Sequence, residues 1–118
     1  MQEFLLVFRT NTTTNPSPPQ SPEQIQTIMK PWQDWMAGIA AQNKLVDSGS
    51  RLASKGTVIR PNNIVTDGPF VEIKEALAGF TIIKAESLED ATEMSKGCPI
   101  LMYGGSVEVR PFFDGGRM

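Results

Sequence analysis

Two helix-opening signals, one at Ser21-Pro22-Glu23-Gln24 and one at Ser87 with Glu89 and Asp90 behind it, stand among stretches that read as strands. That alternation limits the chain to few folds. Each serine offers an oxygen to the orphan N–H groups of a first helical turn. Pro22 takes the first helical position, where its missing N–H costs nothing, and Gln24 stands where a capping box wants it. Glu89 and Asp90 place negative charge where the second helix dipole favours it.

The first helix is expected to carry Ile25, Ile28 and Met29 on one apolar face, continued by Trp32, Trp35, Met36 and Ile39. Pro31 removes a backbone donor and crowds the preceding turn, which predicts a kink near Thr27 to Lys30 or a restart at Pro31. The end is expected around Asn43. In the second helix Leu88, Ala91 and Met94 form the buried stripe, Gly97 stops it and Pro99 forbids continuation.

Strand patterns fill the intervals. Glu3 to Arg9 has a continuous apolar centre, which predicts burial on both faces. A short strand centred on Arg51-Leu52 is expected within Leu45 to Ala53. Thr57 to Arg60 follows, with Ile64 to Thr66 extending it to Asp67. Val71 to Leu77 is ambiguous, a single helical turn after Pro69 being one reading, and Gly79 to Ala85 reads as a strand. In the last strand, Ser106 to Phe112, Val107 and Val109 face one way and Glu108 and Arg110 the other. Residues 11–20 form a Pro/Thr/Asn-rich loop, and 114–118 should fray as a flexible tail. The whole, 1–118, reads as one domain.

The order β-α-β-β-α-β is the ferredoxin-like, split βαβ arrangement, an α+β fold with both helices on one face of an antiparallel sheet. Phe4, Leu6, Phe8, Ile82, Val107 and Val109 are too many to turn toward two helices, so the other face is expected to be apolar. A C₂ homodimer through that open sheet face is the simplest way to cover it.

Composition narrows the chemistry. A formal charge of −2 leaves no electrostatic footprint for nucleic acid or an anionic membrane. No apolar run approaches bilayer length, and no basic n-region opens the chain, so a cytoplasmic setting is expected. There is no histidine and one cysteine. Zinc sites and Cys/His or Ser/His pairs therefore cannot be assembled, no acidic cluster has the spacing of a hard-cation loop, and neither metal nor cofactor is expected. Chemistry is left to carboxylates, Lys, Arg, Tyr103 and Cys98.

Asp67-Gly68-Pro69-Phe70, followed in order by Lys74-Glu75, Gly79-Phe80, Gly97-Cys98-Pro99 and Glu108-Val109-Arg110-Pro111-Phe112, resembles the YCII-related family, and within it the DGPF branch. The resemblance implies a dimeric α+β barrel. It also implies a His–Asp pair as the active site; Asp67 matches the aspartate, and the chain has no histidine to complete it. Relatives encoded beside alternative sigma factors imply a regulatory setting.

Each candidate residue carries two readings. Asp67 is either an acid or base at the mouth of an apolar cavity or the cap of the Gly68-Pro69 turn. Glu75 is either its proton-sharing partner or a charged turn residue. Lys74 and Arg110 either clamp an anionic substrate or sit in solvent, and Phe70 accompanies them as a binding residue. Glu108 and Arg110 either line a cavity or form the wet side of an edge strand, and Arg9 and Arg51 share that ambiguity. Trp32 and Trp35 have core spacing, and Cys98 has no neighbour to activate it. Two functions follow: a small-molecule-binding or regulatory homodimer without a catalytic dyad, or a cofactor-free lyase or isomerase using Asp67.

Overall fold

A computed structural model describes residues 1–11, 21–53, 56–67 and 75–113. The elements are β1 (Gln2–Asn11), α1 (Pro22–Ala41), β2 (Leu45–Arg51), β3 (Thr57–Arg60), β4 (Ile64–Asp67), β5 (Glu75–Ala85), α2 (Leu88–Ser95) and β6 (Ser106–Pro111), with short 3-10 turns at Pro61–Asn63 and Pro99–Tyr103. Strands β2-β5-β1-β6 form an antiparallel four-stranded sheet, and β3 and β4 pair as a separate two-stranded sheet. The fold is α+β and ferredoxin-like, with the β3–β4 hairpin inserted between the second and third sheet strands.

Both helix starts form as their caps predict. Ser21 Oγ accepts the Gln24 N–H at 3.2 Å, and Ser87 Oγ accepts the Asp90 N–H at 3.1 Å. Helix α1 runs as a single element through Pro31, with no restart there. It ends in a Schellman motif: Asn43, at φ 61°, donates to Ala40 O, and Lys44 donates to Ile39 O.

The core lies between the helices and one sheet face, where Phe4, Leu6, Ile83, Ala85 and Ala91 are fully buried and Phe8, Ile39, Cys98 and Ile100 nearly so. Phe8, Trp32 and Trp35 pack edge to face with centroids 5.2–6.1 Å apart, and the Trp35 indole N–H donates to Met94 O at 3.1 Å. Gly97 keeps this corner narrow, since a Cβ there would come within 3.3 Å of the Trp35 ring.

Several expectations are corrected. The register places Val107 opposite Phe8 and Val109 opposite Leu6, so both valines pack on the helix side with Phe4, Leu6 and Phe8. Of the six residues expected to crowd the sheet, only Ile82, opposite Leu5, turns away. Consequently β1 is buried on one face, with Leu5 and Val7 half-buried on the other. Ile25 and Met29 in the first turns of α1 are exposed, as is Leu88 in α2. Strand β2 is centred nearer Ser48 than Arg51, because a bulge at Asp47–Gly49 interrupts it: Asp47 Oδ1 accepts the Gly49 N–H at 2.8 Å, and Gly49 adopts φ 74°. Glu75 to Leu77 begin β5, paired with Asn11 to Arg9, instead of closing a helical turn. Before β6, Gly104 caps the 3-10 turn at φ 80°, and Gly105 N–H donates to Ile100 O. Of the loop expected at 11–20, Asn11 instead ends β1; residues 12–20, 71–74 and 114–118, and the loop and tail expected there, lie outside the described residues.

Candidate functional site

Alternation along β1 sends Leu5, Val7 and Arg9 to the sheet face away from the helices. On the neighbouring edge strand β6, Arg110 stands opposite Leu5 and Glu108 opposite Val7. Glu108 therefore sits diagonally between two arginines, within reach of each. Its carboxylate accepts from Arg9 Nη2 at 3.3 Å and from Arg110 Nη1 at 2.8 Å. These hydrogen bonds, led by the one from Arg110, hold the Glu108 carboxyl below the usual carboxylate range.

Pro111, Phe112 and Phe113 continue past the charged cluster and raise a rim. With Leu5, Val7, Arg9, Glu108 and Arg110 they enclose an open concavity of about 310 Å³. Two guanidinium groups against one carboxylate leave this hollow net positive, over a floor of aliphatic side chains. Such a surface suits a small apolar body carrying negative charge.

Of the residues weighed from the sequence, Glu108 and Arg110 reach this site together, and Arg9 joins them. Asp67 is the last residue of β4, its Cα paired with Thr57, and Glu75 is the first of β5, paired with Asn11. Their side chains, and all of Phe70 and Lys74, lie outside the described residues. Arg51, at the end of β2, is exposed and pairs with Gly79. Sequence reasoning left Arg9 among the ambiguous cations and missed Leu5, Val7 and Phe113 as walls. The available signal was the two-residue period, which puts Arg9 on the face of Val7.

Cys98 is a buried free thiol whose pKa burial pushes up to about 11, so the nucleophilic thiolate is suppressed. Among the described residues no group of three or more His, Cys, Asp or Glu could hold a metal ion, and no helix is long and apolar enough to cross a membrane.

A family model of the YCII-related domain matches residues 12–114, a stretch that takes in Glu108 and Arg110 and begins just after β1. No curated protein matches the chain.

Proposed function

The chain belongs to the YCII-related domain family, and we propose that it is a cytoplasmic homodimer of the DGPF branch that binds a small molecule on its open sheet face without a catalytic dyad. The observation carrying this reading is the concavity of about 310 Å³ with an Arg9–Glu108–Arg110 cluster beside Leu5, Val7 and two phenylalanines. The sequence Asp67-Gly68-Pro69-Phe70 supports the branch, and the complete lack of histidine argues against a His–Asp mechanism. A free, buried cysteine suits a reducing compartment. A second copy, laid sheet to sheet, would cover the half-buried Leu5, Val7 and Phe80 and roof the hollow.

The alternative is a cofactor-free lyase or isomerase with Asp67 as general acid or base and Glu75 as its partner. Its support is that both carboxylates terminate strands at the two ends of one connection, residues 68–74. Thermal-shift screening of small organic acids against the wild type and Asp67→Asn separates the two. The binding reading expects stabilisation that is equal in both proteins. Stabilisation lost in Asp67→Asn, together with turnover of the bound acid by the wild type, would establish the enzyme instead.

A further inference from the structure

We propose that Glu108 is a displaceable stand-in for a ligand's own carboxylate, so that the site takes an organic monocarboxylate with a flat apolar body, its acid group held between Arg9 and Arg110. This deepens the binding reading above and rests on the open face being a ligand site, though not on a second copy covering it.

Three observations carry the inference. First, one carboxylate is divided between two guanidiniums, with a single contact to each at 3.3 and 2.8 Å. Neither arginine engages it as a two-pronged fork, the arrangement in which guanidinium and carboxylate bind most strongly. A guanidinium carries five N–H donors, so each retains capacity for another acid.

Second, Glu108 is free to leave. It lies on the edge strand β6, its side chain is 38% exposed, and both of its oxygens point along the surface to groups that are themselves wet. Swinging it into water exchanges one exposed and one part-buried ion pair, each a single contact, for hydration. Arg9, with 34% of its side chain exposed, is the more sheltered cation, and Arg110, at 68%, can follow the incoming acid.

Third, the surroundings select the rest of the molecule. Leu5, Val7, Pro111, Phe112 and Phe113 supply apolar contact, and a volume of about 310 Å³ lies at the small end of ligand sites. One ring with a short acid fits. A small inorganic anion would satisfy the arginines and leave the walls wet.

Benzoate, benzamide and inorganic phosphate are the probes, titrated into the wild type and variants and followed by NMR of backbone amides and arginine Nε–H groups. Benzoate is expected to saturate, shifting Leu5, Val7 and Arg9, whereas benzamide, with the ring and no charge, does not. Arg9→Gln and Arg110→Gln should each weaken benzoate about tenfold, the scale of a charge-assisted hydrogen bond. Glu108→Gln, which removes the competitor, should tighten it severalfold; a merely structural Glu108 would give no gain. Native amide dispersion certifies each variant, and Arg9→Lys replaces Arg9→Gln if the latter fails to fold.

The inference is overturned if benzoate fails to saturate both the wild type and Glu108→Gln by about 10 mM, weak even for so small a ligand. It is equally overturned if Glu108→Gln weakens binding, if both arginine variants bind normally, or if phosphate binds as tightly as benzoate. Benzoate binding by a monomer removes the second copy and leaves the inference standing. A dimer that ignores benzoate does the reverse.

Discussion

Gly49 shows how much one side-chain-free position can decide. Its φ of 74° is open to glycine at little cost, and a Cβ built there would lie 1.7 Å from Phe80 O. Relief requires β2 to part from β5. Gly49→Ala is therefore expected to lose about 2–4 kcal/mol in urea denaturation, the range for combined overpacking and backbone strain; a loss under about 0.5 kcal/mol, the level of an ordinary surface change, would refute the bulge geometry. Cys98 makes a residue-scale prediction in pH. Burial raises its folded pKa from 9.0 to about 11, so its contribution is full below pH 9 and is lost as the pH rises toward 11. The wild type should lose stability over that window relative to Cys98→Ala; parallel pH profiles would contradict the buried thiol. Glu108 runs the other way. Its lowered pKa favours the folded state above the ordinary carboxylate range and withdraws that support as acid protonates it, weakly, because the group faces water.

At the scale of elements, Pro31 is the clearest test. Helix α1 passes through it without ending, although a proline inside a helix forfeits one hydrogen bond and crowds the preceding turn. Pro31→Ala should restore a donor for the Thr27 carbonyl and raise stability by about 1–3 kcal/mol, a gain readable as a higher denaturation midpoint; a loss of stability would mean that Pro31 packs for a purpose. The helices were legible because caps are local: Ser21 and Ser87 need only the next three residues to act. Strand β2 lies within its expected bounds, and only its centre differs, because its bulge depends on a backbone approach to Phe80, a residue distant in sequence. Glu75 to Leu77 carry no alternation of their own and become strand by pairing with β1. The facing of Val107 and Val109 was set by register with Phe8 and Leu6, and register is invisible until both strands are placed. The site suffered in the same way: Arg110 was visible as a cation, but its union with Arg9 needed strands from opposite parts of the chain.

For the whole molecule, thickness is the decisive dimension. Its shortest extent is 19 Å, room for one sheet and one helix layer, and among the described residues Leu5, Val7 and Phe80 on the face away from the helices stay part-exposed. Sedimentation at micromolar concentration should find a dimer. Val7→Lys, which sets a charge on the proposed contact, should give a folded monomer; an unchanged dimer would move the interface elsewhere.

The Arg9–Glu108 contact joins groups 99 positions apart. Closing so long a loop costs more chain entropy than a local contact and belongs to the slower, non-local pairings of the fold. The hollow is thus assembled by an inner strand, β1, and an edge strand, β6, drawn from distant parts of the sequence, and fraying of β6 would dismantle it. Uptake of the proposed ligand would then depend on that pairing, so occupancy would serve as a gauge of whether β6 is properly closed onto β1.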